Sequence, residues 1–231
     1  DILTGGAGAD IILGNGSADT IVGNAGADSI TGGAGDDIIT GGDGTDTFNI
    51  DSGTDTINDL GGSAGGENDV VIVSAGASVT ASNIISFVAT SSTQNNSTDA
   101  SNAVLTAKSG AGRTISVANA TGSSKAFTLV GNNGNDLLTG GAGDDIISVT
   151  SAGQANSDTL DGGAGTDTLT LSSGTHTLTS ENKIVNIENI NLSTSGSGTN
   201  VDLTGQTEGF TITAGNFANT ITSGSGADTI V

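Results

Sequence analysis

An aspartate recurs at every ninth residue in the first part of this chain, each time within a glycine-rich turn. The series comprises seven residues: Asp1, Asp10, Asp19, Asp28, Asp37, Asp46 and Asp55. Two residues after each aspartate the chain is always apolar, from Leu3 and Ile12 to Phe48 and Ile57. Because both positions keep this spacing over seven units, the repeat indicates a stacked structural unit rather than a low-complexity tract.

The same spacing returns later in the chain. The units are GNNGNDLLT at 131–139, GGAGDDIIS at 140–148, GQANSDTLD at 153–161, GGAGTDTLT at 162–170 and SGSGADTIV at 223–231. Their sixth residues are Asp136, Asp145, Asp158, Asp167 and Asp228. Twelve of the 25 acidic residues therefore occupy the sixth place of a nonapeptide, so the acidic charge is positional.

Each nonapeptide predicts a six-residue turn followed by a short strand whose eighth-place apolar side chain points inward. Two units then form one coil of a flattened parallel β-helix, with turns on opposite edges. One edge would stack Asp1, Asp19, Asp37 and Asp55, and the other Asp10, Asp28 and Asp46. The predicted fold class is all-β, a parallel β-roll or β-helix solenoid.

The net charge of −21, with only four basic residues, excludes a phosphate-tracking nucleic-acid binder and argues against docking on anionic lipid. Carboxylates stacked on adjacent coils, about 4.8 Å apart, would repel by roughly 3 kcal/mol at an effective dielectric near 20. A cation must therefore bind between them. Ca²⁺ suits carboxylate and carbonyl oxygens in adaptable geometry, whereas Mg²⁺ demands a tighter octahedron. Zn²⁺ would lack its usual ligands, because the chain has no cysteine and one histidine.

The units GGAGADIIL and GGAGDDIIT match G-G-x-G-x-D-x-U-x, and so this chain resembles the RTX family of calcium-binding nonapeptide proteins. The resemblance implies a β-roll with Ca²⁺ in its turns that leaves the cell through a type I secretion system and folds outside. The metal ligands it implies are the sixth-place aspartates Asp1, Asp10, Asp19, Asp28, Asp37, Asp46, Asp55, Asp136, Asp145, Asp158, Asp167 and Asp228, and turn carbonyls of Gly6, Gly8, Gly26, Gly33, Gly35, Gly42, Gly44, Gly134, Gly141, Gly143, Gly163 and Gly165. Ser17 and Asn156 replace the usual fourth-place glycine, which predicts weaker sites in those units.

The spacing disappears between residues 60 and 130, where strand-like runs such as DVVIVSAG and NAVLTAKSG stand instead. This change predicts a small inserted β-subdomain. The chain would then consist of a calcium β-roll at 1–59, the inserted β-subdomain at 60–130, a second calcium roll with strands at 131–186, and a calcium-poor β-helix at 187–231 that ends in one further repeat unit. Ile11 and Leu13 are predicted to point outward on one sheet, and Val22 and Ile38 on the other, under the subdomain or a neighbour.

Catalytic motifs are not recognisable in this sequence, and the lone His176 is expected to be a surface residue. We therefore predict that the chain is not an enzyme. The leading hypothesis is a calcium-binding structural segment of a secreted, cell-surface protein that resembles RTX-type bacterial S-layer proteins and self-associates into a lattice. Its other expected partner is the type I secretion machinery, with no nucleic acid and no membrane span. The alternatives are an RTX adhesin segment, or the secretion and folding module of a type I-secreted enzyme.

Overall fold

The computed structural model describes residues 1–62, 67–97, 102–122, 124, 126–150 and 154–231. Gly153, the first residue of the GQANSDTLD unit, lies outside this part. The described chain is a parallel β-solenoid whose strands lie in four sheets. Within it, no helix is long and apolar enough to cross a membrane.

The largest sheet, here called sheet 1, contains twelve parallel strands and runs the length of the solenoid. Its strands are β1 (Ile2–Thr4), β3 (Thr20–Ala25), β5 (Ile38–Asp43), β7 (Thr54–Ile57), β9 (Ser78–Ile84), β12 (Ala103–Ala107), β14 (Thr128–Gly131), β16 (Ile146–Val149), β18 (Thr168–Leu171), β21 (Asn189–Asn191), β23 (Thr211–Thr213) and β25 (Thr229–Ile230).

Three shorter sheets form the remaining walls. Sheet 2 consists of β2 (Ile11–Leu13), β4 (Ser29–Thr31), β6 (Thr47–Ile50), β8 (Val70–Val73) and β11 (Gln94–Asn95). Sheet 3 consists of β10 (Ser86–Val88), β13 (Thr114–Ser116), β15 (Leu137–Thr139), β17 (Thr159–Asp161) and β20 (Ile184–Val185). Sheet 4 consists of β19 (Gly174–Thr177), β22 (Thr199–Asp202) and β24 (Thr220–Thr222). Two short 3₁₀ helices lie at Gln154–Asn156 and Glu181–Lys183.

The predicted coil of two nonapeptides is confirmed by the strand register. Leu3 pairs with Ile21, and Ile21 with Ile39, on sheet 1. Ile12 pairs with Ile30 on sheet 2. The eighth-place side chains from Ile12 to Ile57 fill the interior, because alternate residues of a strand point to opposite faces.

The segment 60–130, predicted as an inserted β-subdomain, contributes its strands to the walls of the same solenoid. Ile57 pairs with Ala81, Ala81 with Leu105 and Leu105 with Leu129, a spacing of 24 residues per coil. The coil from Ala81 to Leu105 contains three strands, because β9, β10 and β11 follow one another along the chain and join sheets 1, 3 and 2. The nine-residue spacing disappears here because the coil changes length, while the parallel pairing continues.

The outward orientation of the four apolar residues is confirmed, but the segment 60–130 does not cover them. Ile11 is 80% exposed, Leu13 52% and Ile38 47%, and Val22 is half-buried. His176, expected at the surface, is instead fully buried inside the solenoid. It lies in β19, where alternation directs its ring into the core between outward-facing threonines.

Candidate metal centre

The repeat aspartates of the first roll form two ladders, one at each edge of the solenoid. From Asp28 to Asp55, each Oδ1 accepts the backbone N–H of the aspartate one coil earlier, as at Asp10 to Asp28 (2.8 Å), Asp19 to Asp37 (2.8 Å) and Asp37 to Asp55 (3.0 Å). The stacking predicted from the 18-residue spacing is therefore present. One carboxylate oxygen of each aspartate serves the fold itself, because it satisfies a backbone donor at the turn.

The ladder reappears in the second roll with the same geometry. Asp145 accepts the N–H of Phe127 at 2.6 Å, Asp158 that of Asp136 at 2.8 Å, and Asp167 that of Asp145 at 2.7 Å. Asp136 and Asp228 accept from Arg113 (2.8 Å) and Phe210 (3.0 Å). These donors lie outside the repeat, so the ladder requires only a backbone N–H group in the preceding coil, whatever the residue that carries it.

Three ladder members were missed by sequence analysis because they lie off the nine-residue spacing. Asp69 accepts the N–H of Asp46 at 2.9 Å, Glu188 that of Asp167 at 2.7 Å, and Asn219 that of Thr199 at 2.9 Å. Each is followed two residues later by an inward apolar residue, Val71, Ile190 or Ile221. A search for an acidic or amide residue followed two residues later by an apolar one would have identified them, even without the nine-residue spacing.

The second carboxylate oxygen, Oδ2, faces the turn and in most repeat units lacks a partner. In the described part of the chain, the buried Oδ2 atoms without a hydrogen-bond donor belong to Asp19, Asp28, Asp37, Asp55, Asp158, Asp167 and Asp228. In Asp10 and Asp145, by contrast, Oδ2 accepts the N–H of Gly6 and Gly141, both at 2.6 Å. Buried anionic oxygens without donors are rare in folded proteins, and they suit a site that binds a cation.

Carbonyl oxygens from a neighbouring coil lie near Oδ2 atoms at the first glycine of several turns, among them Gly5, Gly14 and Gly140. A methyl group on Gly14 would lie 2.6 Å from Asp19 Oδ2, and it would also collide with the Gly32 carbonyl oxygen. At Gly5 the corresponding atoms are Asp10 Oδ2 at 2.7 Å and the Gly23 carbonyl oxygen at 2.6 Å. Side-chain and backbone oxygens from two coils thus converge on the space that only glycine leaves open.

The carbonyls predicted as ligands belong to the second and fourth residues of each turn, and two of them already accept backbone hydrogen bonds. The Gly6 carbonyl accepts the N–H of Ala25 at 3.3 Å, and the Gly141 carbonyl that of Ala164 at 2.8 Å. The left-handed φ angles expected of turn glycines occur at Gly26, Gly33, Gly35, Gly42, Gly44, Gly134, Gly163 and Gly165. Asn156 lies in a 3₁₀ helix instead, so its unit departs from the common turn. The contribution of these carbonyls to metal binding stays a prediction.

The residues present fit Ca²⁺. Within the described residues, no three acidic or histidine side chains form a cluster that could hold a metal by themselves. A bound ion would therefore depend on backbone carbonyls together with the Oδ2 atoms, an all-oxygen set that suits Ca²⁺ and its flexible coordination. Bound there, the ion supplies the positive charge that these buried carboxylates lack.

The metal-free turns disfavour negative charge. Burial raises the pKa of Asp145 to about 7, and that of Asp55, Asp158 and Asp167 to about 6. The amide hydrogen bonds of the ladder lower these pKa values in part, and neighbouring carboxylates raise them further. A cation would reverse the balance by favouring the ionised form.

His176 packs inside the solenoid. Its Nε2 lies 3.0 Å from the carbonyl oxygen of Ser172, and burial lowers its pKa. A buried imidazole bonded to a backbone carbonyl acts as a core residue.

Comparison with known families agrees with the geometry. The model of the RTX calcium-binding nonapeptide repeat, a unit of four copies, matches residues 1–30, 22–57, 128–149, 150–175 and 211–231, more than half of the chain. A search of curated proteins and a search of solved structures each returned no match. The matched regions hold the repeat aspartates of both ladders, and on this basis the chain belongs to the RTX calcium-binding nonapeptide repeat family.

Proposed function

We propose that this chain is a calcium-folded structural segment of a secreted bacterial surface protein, of the kind that builds S-layers, and that it assembles with its own copies in extracellular calcium. The observation that carries the proposal is the row of buried, unpartnered Oδ2 atoms along both edges of a continuous solenoid. Because these buried carboxylates lack a neutralising partner, we expect the fold to depend on a divalent cation. RTX repeat proteins are generally secreted, which agrees with folding outside the cell.

The energetic argument for calcium dependence follows from the number of these atoms. Burying one uncompensated carboxylate costs several kcal/mol, whereas a whole domain is stable by only about 5–15 kcal/mol. A few such groups outweigh the net stability of the roll. In the calcium-poor cytosol the rolls therefore stay unfolded, which suits passage through a type I secretion system. Extracellular calcium then neutralises the turns and drives folding.

A structural role also accounts for the shape and charge of the segment. Twelve parallel strands in one sheet make a long, regular body. Exposed acids lie on its surface, such as Asp36 in a turn and Asp43 at the end of β5, and further ions could bridge them to neighbouring acidic chains. We assign no reaction to this segment.

Removal of calcium tests the proposal. The purified chain is passed over a chelating resin, and far-UV circular dichroism and light scattering are followed before and after calcium is restored. We expect β-structure and large particles to disappear together and to return with Ca²⁺ but not with equal Mg²⁺. Unchanged β-structure and particle size in chelator would refute it.

A further inference from the structure

The outward surface of sheet 1 carries one continuous row of side chains and a second row that is interrupted at β7 and β9. The first row, one residue per strand, is Ile2, Thr20, Ile38, Thr56, Thr80, Val104, Thr128, Ile146, Thr168, Asn189, Thr211 and Thr229. The second row, two residues further along the strands, includes Thr4, Val22, Thr40, Thr106, Val130, Ser148, Thr170, Asn191 and Thr213.

None of the side chains in these rows is charged, although the chain has 25 acidic residues and a net charge of −21. Acids of sheet 1 lie outside the rows: Asp55 is buried, and Asp43 lies at the end of β5. The exposed Asp36 and Asp144 stand two residues before row one, where they border the face and accept the N–H of Thr54 and Thr166. Two copies of so acidic a protein repel each other unless they meet on a neutral surface. The rows of sheet 1 provide such a surface.

The face of sheet 1 is favoured as an interface over the shorter sheets because its area is larger. Twelve strands spaced about 4.8 Å apart extend over about 53 Å, and two rows with their side chains are about 11 Å wide. The face therefore covers about 600 Å² per chain, or about 1,200 Å² for two, the lower limit of a specific interface. Sheet 2 has only five strands and less than half of this area.

The pattern within the rows is self-complementary. Aliphatic residues alternate between the rows, as Ile2, Val22 and Ile38 at one end and Val104, Val130 and Ile146 in the middle. On each of these strands the other row holds threonine or serine. A two-fold axis parallel to the solenoid would set row one of each copy against row two of the other. Each aliphatic side chain would then face a smaller hydroxyl residue, which allows the layers to interdigitate.

We propose that sheet 1 is the interface through which two copies of this chain pair face to face once calcium has folded them. The inference deepens the proposed function and rests on it, because it names the surface used in assembly. A two-fold pair of this kind closes on itself, so growth from the dimer into an array requires a second contact elsewhere on the surface.

Like charges placed in the rows test the interface. Sedimentation velocity of the calcium-loaded chain over a range of concentrations compares wild type with the double variant Ile38→Glu/Ile146→Glu. We expect wild type to dimerise reversibly, and the double variant to dissociate more than about tenfold more readily, since it places glutamates within the interface. The control is Ile11→Glu, the same change at an 80% exposed residue of sheet 2, which should dimerise like wild type. If the double variant misfolds, by circular dichroism and calcium midpoint, Thr20→Glu in row one replaces it.

The outcomes separate this inference from the function on which it rests. Calcium-dependent association that the sheet 1 variants leave unchanged, or that Ile11→Glu weakens equally, overturns the sheet 1 interface and leaves the assembly role standing. A wild-type chain that folds in calcium and stays monomeric at every concentration overturns both.

Discussion

Asp37 offers a direct test of the two roles assigned to the repeat aspartates. Its Oδ1 accepts the N–H of Asp19 at 2.8 Å, while its buried Oδ2 has no partner among the described residues. Asp37→Asn keeps an oxygen acceptor for the ladder, as Asn219 already does for Thr199, but removes the negative charge. Asp37→Ala removes both. The two variants should therefore behave differently with and without calcium.

The magnitudes follow from these contacts. In calcium-free solution both variants relieve repulsion of up to roughly 3 kcal/mol with each stacked carboxylate at an effective dielectric near 20, so Asp37→Asn, which keeps the ladder bond, should stabilise the metal-free roll. Asp37→Ala also leaves the Asp19 amide unsatisfied and should therefore be less stable than Asp37→Asn by about 1–3 kcal/mol. In calcium both variants lose a charged ligand, and the calcium concentration at half-folding should rise on the order of tenfold, about 1.4 kcal/mol.

Stability in saturating calcium is measured by urea unfolding. Stability without calcium is measured in chelator by folding induced with sucrose, an excluded osmolyte that favours the folded state of an otherwise unfolded chain. Asp43→Asn is the control, since it makes the same charge change at an exposed residue at the end of β5. The reasoning is refuted if Asp37→Asn is no more stable than Asp37→Ala in the metal-free roll, or if Asp43→Asn raises the calcium midpoint as much as Asp37→Asn does.

Three further predictions concern pH, the first turn glycine and the asparagine of the ladder. The folded pKa values of about 6 to 7 lie above the ordinary value of 3.8, so without calcium these groups stabilise the fold below about pH 4 and this contribution is lost as pH rises towards 7. In calcium the fold should instead become more stable as pH rises, because the carboxylate ligands must be ionised to bind the ion. Circular dichroism between pH 4 and 8, with and without calcium, checks both pH dependences. Metal-free stability that rises with pH would contradict the account. Gly14→Ala should place a methyl group against Asp19 Oδ2 and the Gly32 carbonyl, and it should destabilise the calcium-loaded roll by about 1–3 kcal/mol in thermal unfolding. The control is Gly16→Ala, which should leave stability unchanged because a Cβ on Gly16 meets no atom within 4 Å. Asn219→Ala should cost about 1–3 kcal/mol by orphaning the Thr199 N–H, and Asn219→Asp should restore it in urea unfolding; equal loss in both variants would exclude the ladder role.

The nine-residue spacing determined the local structure of the rolls, their coil and the residue type of the site. Period two within a strand decides which side chain points inward, and an 18-residue coil decides which aspartates share an edge; both follow from backbone geometry that hardly depends on the rest of the chain. The need for a cation could be predicted for the same reason, since stacked carboxylates repel in any fold that aligns them. The chemistry of the ion followed from the absence of cysteine and the presence of glycine carbonyls.

Tertiary structure alone decided what happens where the spacing changes. The coils of 24 residues between Ile57 and Leu129 keep parallel pairing without a fixed sequence period, because hydrogen bonds between strands tolerate turns of different length. The two oxygens of each aspartate are distinguished only when a backbone amide of the preceding coil takes one of them. The same holds for Asp69, Glu188 and Asn219, whose common role is visible only in the stacked coils, and for the uncharged face of sheet 1, which is assembled from strands that lie far apart along the chain.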